Sequence, residues 1–493
     1  MGDRNVQEKS AAQASVPKVP DAVVDAGSTQ RRNRERRIAE ILVAATEVFR
    51  EDGYAGFTTR RVAAKAGLTL SNLQYYFPNK EELLSVIIKN FLQGFLDNYL
   101  SIANQNGVTA QRRCGALVEQ VFQEVGQPDT GKLLFETWAF AQHESHVSAL
   151  LEDAYTSYRD IFVRLLSEIN PALSVEECHA RALTMTAQAE GVVIIAARTD
   201  NSDKDYEECA RTAKRCARLI AGLSPRALEA KPLADGVMAE ISRLQRGSEQ
   251  ISESRRVAMF GREGQIRRGK YDGAGRHSGA ESSYLRPTMQ SRKREAKIGE
   301  IIDEAANLLA TEGYGNFTLA RVAKRVGILA SGLQHYFPTH DDLLRCTIDA
   351  LFSVYYERWS EMSQPSGRTA IERLSEILDD VLVEACDPSV SRFSFEMFAL
   401  AEHSLVTREM LNKVYGEYRQ IFVNLVREID PTASGRECLA RATLITAQLE
   451  GVIVCITYSS GRQAFNLDVV LRLIKSIALD IALGSRPLLQ PTA

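Results

Sequence analysis

Apolar residues recur along this chain at the three- and four-residue intervals of amphipathic helices. Ile38, Ile41, Leu42, Ala45 and Phe49 form one such stripe, and Gly53 stops it. Similar patterns predict helices at about 59–66, 70–77, 80–103, 110–126, 131–145, 147–169, 175–198 and 204–222. No stretch reads convincingly as a strand, so the expected fold class is all-α.

The pattern then repeats. Gly53-Tyr54 returns as Gly313-Tyr314, an offset of 260. Tyr76-Phe77-Pro78 returns as Tyr336-Phe337-Pro338, and from Phe57 to Leu84 14 of 28 positions are identical at that offset. The register holds without a gap to Gln188, Glu190 and Gly191, which match Gln448, Glu450 and Gly451. So long a period implies duplication of a domain pair, not a solenoid. The expected organisation is a disordered tail over 1–30, a small helical domain over 31–84 and a larger one over 85–224. A flexible Gly-, Ser- and Arg-rich linker follows over 225–290, with weak helical spacing from Leu233 to Leu244. The same two domains then recur over 291–344 and 345–486.

Composition changes this picture little. The chain has 493 residues, 45% hydrophobic and 25% charged, with a net charge of −3. Any affinity for nucleic acid must therefore rest on local patches. The N-terminus lacks a signal-peptide core, and the longest strongly apolar run, Gly191 to Ala197, is too short to span a membrane. The eight cysteines include no pair at zinc-ligand spacing. These features predict a reduced cytoplasmic protein with no metal and no cofactor.

The chemistry concentrates in FTTRRVAAKAGLTLSNLQYYFPNKEELL, from Phe57 to Leu84. Thr58 can cap a short helix whose inner face is Val62, Ala63 and Ala66. Gly67 permits a tight turn, with Leu68 packed under it. A second short helix starts near Leu70 and buries Leu73 and Phe77. It leaves Thr69, Ser71, Asn72, Gln74 and Tyr75 mostly outward, side chains suited to base edges and phosphates. Pro78 stops this helix, and Asn79, with Glu82 at its third position, caps the next. The run RRNRERR at 31–37 carries five arginines, and Arg60, Arg61, Lys65 and Lys80 add to the charge.

This stretch resembles the DNA-binding domain of the TetR family, strongly over 36–84 and 296–344 and more weakly out to about 222 and 484. The resemblance implies two helix-turn-helix domains, each followed by a helical effector and dimerisation domain. It implies that Thr69, Leu70, Ser71, Asn72 and Gln74 read the major groove. Tyr75, Tyr76 and Lys80 then grip phosphates, flanked by Thr58, Arg60 and Arg61.

The second motif keeps the scaffold at Thr318, Arg321, Ser331, Gln334 and Tyr336 but differs at its tip. Leu329, Ala330, Gly332 and His335 replace Thr69, Leu70, Asn72 and Tyr75. His340 replaces Lys80, and Ala320 replaces Arg60. Either this head reads a different half-site, or it has weakened into a structural partner.

In the larger domains the resemblance implies an aromatic-lined effector pocket. The candidate residues are Phe135, Trp138, His143, Tyr155, Tyr158, Arg159 and Gln188, beside Glu136. Their counterparts are Phe395, Phe398, His403, Tyr415, Tyr418, Arg419 and Gln448, beside Glu396. The last two helices of each repeat are expected to form a four-helix interface within one chain. Such a pseudo-dimer presents two reading heads about 34–36 Å apart, one turn of DNA. The function read from this is a small-molecule-responsive repressor binding a double-stranded operator. An activator, further homodimerisation, or a second repeat that is only a fused partner stays open. An enzyme is disfavoured: Glu136 with His143, or Glu176 with His179, lacks any accompanying nucleophile, metal spacing or phosphate loop.

Overall fold

A computed structural model describes residues 29–125, 127–197, 203–224, 228–246, 289–459 and 466–484. Of the tail expected over 1–30, residues 1–28 lie outside the described residues, as does the linker from 247 to 288, while Thr29 and Gln30 already belong to the first helix. Among the described residues every regular element is a helix.

The first repeat runs α1 (Thr29–Gly56), α2 (Thr59–Lys65), α3 (Leu70–Tyr76), α4 (Lys80–Ala103) and α5 (Ala110–Val125). It continues with α6 (Pro128–Ala141), α7 (Ser145–Ile169), α8 (Val175–Ala196) and α9 (Asp203–Ile220). A connecting helix, α10 (Val237–Gln245), follows. The second repeat comprises α11 (Met289–Glu312), a 3-10 turn (Tyr314–Asn316), α12 (Leu319–Val326), α13 (Ala330–Gln334) and α14 (His340–Ser363). It ends with α15 (Ala370–Ala385), α16 (Pro388–His403), α17 (Leu405–Ile429), α18 (Gly435–Thr457) and α19 (Leu467–Leu483).

Local chemistry sets most boundaries. Thr58, Asn79 and Ser174 each accept a backbone N–H at the start of α2, α4 and α8. Pro128 occupies the first turn of α6, where no N–H is needed, so this helix begins and ends earlier than the apolar spacing predicts.

α8 is buried almost all round, as is its counterpart α18, and the two pack directly against each other. α9 and α19 complete the cluster of four. The contact is closest at the glycines. A Cβ on Gly191 would lie 1.6 Å from the Ala447 carbonyl oxygen, and one on Gly451 would lie 1.7 Å from that of Ala187. Only glycine lets the two backbones touch here. α18 is also long and apolar enough to cross a membrane, but its most apolar window is 83% buried inside the protein, as befits a core helix.

Residues 228–246 correct the expectation of a flexible linker throughout 225–290. They lie against the second repeat. Val237 and Ile241 of α10 are buried, and α10 packs on α15. Lys475 of α19 bonds the Pro232 carbonyl at 2.9 Å and Asp379 of α15 at 2.8 Å. The same Asp379 accepts the Ala234 N–H at 3.2 Å. A backbone N–H held by a buried carboxylate does not behave as free linker.

Candidate DNA interface and effector cavities

In the first head, Val62, Ala63, Leu73 and Phe77 are buried, and Gly67 makes the turn between α2 and α3 at φ 65°. Thr69 is the N-cap of α3: its hydroxyl accepts the Asn72 N–H at 3.2 Å. Ser71, Asn72, Gln74 and Tyr75 are exposed, Tyr75 by 74%. Leu70 and Tyr76 are half-buried, with Tyr76 edge-on to Tyr75 at 5.2 Å. Arg60 is exposed, whereas Arg61 pairs with Asp52 at 2.8 Å. Lys80 is half-buried and bonds the Tyr54 carbonyl at 3.0 Å, so its ammonium is partly committed to the protein.

The second head has the same frame and a different tip. α13 has five residues against seven in α3. Leu329 takes the cap position without a side-chain bond and is 78% exposed. Ala330, Ser331, Gln334 and His335 are exposed, Gly332 is half-buried, and Tyr336 lies under Arg294 at 5.4 Å. Thr318 caps α12, Arg321 is drawn to Glu312, and His340 contacts the Phe317 carbonyl at 3.2 Å.

Directly beneath the heads the two repeats exchange partners. Glu136 of α6 accepts the Tyr54 N–H at 2.7 Å, the Tyr314 hydroxyl at 3.1 Å and His403 at 2.8 Å. Glu396 of α16 accepts the Tyr314 N–H at 2.7 Å, the Tyr54 hydroxyl at 2.9 Å and His143 at 2.8 Å. Each histidine thus serves the other repeat's glutamate. The acid–base pairing of Glu136 with His143 considered from sequence does not form. Gly53 and Gly313 complete the node: a Cβ on Gly53 would fall within 2.6 Å of Glu136, Tyr314 and His403, and one on Gly313 within 2.8 Å of Tyr54 and His143 of the other repeat.

Two cavities lie deeper. The first encloses about 550 Å³ of empty space, part of it continuous with solvent, between α4, α5, α6, α7 and α8. Leu92, Phe95, Leu96, Tyr99, Glu124, Thr130, Leu134, Tyr155, Tyr158 and Glu190 line it. Its counterpart, about 640 Å³, is lined by Phe352, Tyr355, Tyr356, Trp359, Glu384, Ser394, Tyr415, Tyr418 and Glu450. Burial pushes the Glu190 carboxyl up to about 8 and that of Glu450 up to about 7.

Of the residues expected around an effector, Tyr155, Tyr158, Tyr415 and Tyr418 reach these cavities. The others do not, because the repeats pack through them. Phe135 meets Phe398 at 5.7 Å, and Trp138 meets Phe395 at 5.7 Å. Gln188 bonds Gln448 at 3.3 Å. Arg159 reaches the Tyr458 carbonyl at 3.4 Å, Arg419 is partly buried beside Cys209, and His143 and His403 sit in the glutamate node. Glu190 and Glu450 were visible only as matched letters of the repeat. The ring positions on α4 and α14 carried no distinguishing signal.

The profile of the bacterial regulatory proteins, tetR family, matches residues 41–87 and 301–346. An uncharacterized HTH-type transcriptional regulator in the dhlA 5' region of Xanthobacter autotrophicus is 28% identical over 176 residues, 35% of this chain and 85% of that protein. The HTH-type transcriptional regulator PksA of Bacillus subtilis (strain 168) is 26% identical, covering 28% of this chain and 66% of its own length. The HTH-type transcriptional repressor KstR2 of Rhodococcus jostii (strain RHA1) is 22% identical, covering 26% of this chain and 63% of its own length. A TetR transcription regulator from Haloarcula marismortui ATCC 43049 overlays with a TM-score of 0.33 and 19% identity, over 38% of this chain and 98% of its own. The chain is a DNA-binding transcription regulator of the helix-turn-helix class. It carries, in tandem, two stretches that match the model of the TetR family.

Proposed function

We propose that this chain is a ligand-responsive repressor that holds one operator with both heads, its two repeats standing in for the two subunits of a dimer. The observation that carries this reading is the backbone contact of α8 with α18 at Gly191 and Gly451. It is reciprocal, central and too close to be incidental. Thr58, Arg60 and the outward face of α3 then contact one half-site, with Thr69 to Gln74 at base edges and Tyr75 and Tyr76 at phosphates. The corresponding residues from Thr318 to His340 contact a different half-site.

α6 supplies the route from cavity to head. One helix carries Thr130 and Leu134 in the cavity wall, Trp138 bonded to Tyr155 at 3.0 Å, and Glu136 in the node that holds Tyr54 and Tyr314. A ligand that shifts α6 shifts the ends of α1 and α11, and with them the spacing of the heads. The proposed location is the cytoplasm. A second reading, in which the second repeat is only a fused partner, draws on the uncapped, shortened α13.

Footprinting on DNA upstream of the coding region, with the mass of the complex, tests the proposal. Protection of two unequal half-sites by one chain is expected. Protection of a symmetric site by two chains would overturn the intrachain arrangement.

A further inference from the structure

We propose that the cavity of the first repeat binds a lipophilic organic cation, one per chain. Its wall is aromatic and aliphatic apart from hydroxyls and two carboxyls, and no Lys, Arg or His is among the described residues lining it. Glu190 is 7% exposed, and its Oε2 has no hydrogen-bond partner. The Tyr155 hydroxyl is its hydrogen-bonding neighbour. The second carboxyl, Glu124, is held by neutral donors only: Asn98 and Gln120 at 2.9 Å on one oxygen, Tyr99 at 2.5 Å on the other. Two acids without a countercharge, walled by ring faces, are what a desolvated monocation requires.

The second cavity lacks this imbalance. Position 98 of the first repeat corresponds to Arg358, which pairs with Glu384 at 3.0 Å and Asp380 at 2.7 Å. Glu450 there accepts the Tyr415 hydroxyl at 2.8 Å, as Glu190 is met by Tyr155, so the difference between the cavities lies in Arg358. Hence one cation per chain, not two.

The groups facing Glu190 are Tyr99 from α4, Glu124 from α5, Tyr155 and Tyr158 from α7, and Cys455 from α18. None of them is a cation. Arg159 of α7 points its Nη2 to Thr156 and the Tyr458 carbonyl instead. With its carboxyl pushed up to about 8, Glu190 holds a proton at neutral pH while the cavity is empty. An entering cation expels that proton. Affinity therefore rises about tenfold per pH unit and levels off above pH 8 or so. A neutral ligand accepting a hydrogen bond from the protonated acid would show the opposite slope.

The cavity assignment stands apart from the repressor reading and draws on it only for the consequence at the operator. Calorimetric titration of the full chain between pH 6 and 9 tests it, with tetraphenylphosphonium and its anionic isostere tetraphenylborate. The expected result is one phosphonium per chain, tighter by about tenfold per unit from pH 6 to 8, and no borate. Glu190→Gln should remove the pH dependence and weaken binding at pH 8 roughly tenfold or more. The wild-type slope needs no variant, so a misfolded mutant cannot obscure the answer. Equal binding of the two ions, no phosphonium binding, two equal sites, or affinity falling with pH would overturn the assignment. Phosphonium bound without any change at the operator would leave the cavity assignment intact and sink the effector reading instead.

Discussion

In the first head a threonine caps a seven-residue α3 and a tyrosine stands 74% exposed at its far end. In the second a leucine fills the cap position, bare and 78% exposed, ahead of a five-residue α13. Beneath them the frames are interchangeable: Val62, Ala63, Leu73 and Phe77 are buried, and so are Val322, Ala323, Leu333 and Phe337. The cavities differ in the same manner. Both keep two tyrosines and a glutamate, while Asn98 of the first is replaced by Arg358 in the second. Duplication has preserved what packs and varied what meets solvent or ligand.

The comparison can be broken most severely at its axis. Gly191→Leu drives a side chain into the Ala447 carbonyl, so the repeats must part. We expect a loss of roughly 3 kcal/mol or more, seen as an early calorimetric transition, and loss of the two-half-site footprint. A second test separates the cavities by pH. The folded Glu190 carboxyl lies above its unfolded value of 4.5, so the stability it lends is full below pH 4.5 and is lost as pH rises toward 8. Glu190→Gln should therefore melt higher than the parent at pH 8, by roughly 2–4 °C per kcal/mol recovered, and much the same at pH 4.5.

Smaller effects sharpen the contrast between heads. Gln74→Ala with Tyr75→Ala should weaken operator binding by about 1–3 kcal/mol. Gln334→Ala with His335→Ala should weaken it less, at the other half-site only. If the second pair has no effect on affinity, the second repeat is a partner and not a reader. Tyr54→Phe removes one hydroxyl from the Glu396 node and should lower the melting free energy by about 1 kcal/mol. Smallest of all, Leu329→Thr would give α13 the cap that α3 has, stabilising that helix by about 0.5–1 kcal/mol, readable by hydrogen exchange.

The helix-turn-helix heads were legible because their signal is local: cap, apolar face, turn glycine and stop all lie within 28 residues. The all-helical plan followed from periodicity, whereas the pairing of the last helices was implied by the family resemblance alone. The cavities were not legible in this way. They assemble from five helices, and nothing in a run such as Gln188-Ala189-Glu190-Gly191 tells which residue faces a partner and which a hollow. Phe135 and Trp138 suggested a pocket because aromatics at helical spacing look alike in either setting, yet they pack between the repeats. His143 likewise has its partner 253 residues away, beyond the reach of any spacing argument.

When two identical subunits make a dimer, each substitution arrives twice, and both halves must tolerate it. Residues 228–246, docked on the second repeat through Asp379 and Lys475, mark a molecule released from that rule. The first repeat has Glu119 and Arg215 at those positions, and its Glu119 pairs with Lys214 at the surface. One half can now acquire a strap, a countercharge or a new reading tip while the other keeps the old arrangement. The chain joining the repeats thus does more than hold them near each other: it gives each half its own evolutionary history, and an operator read by such a molecule has no reason to be a palindrome.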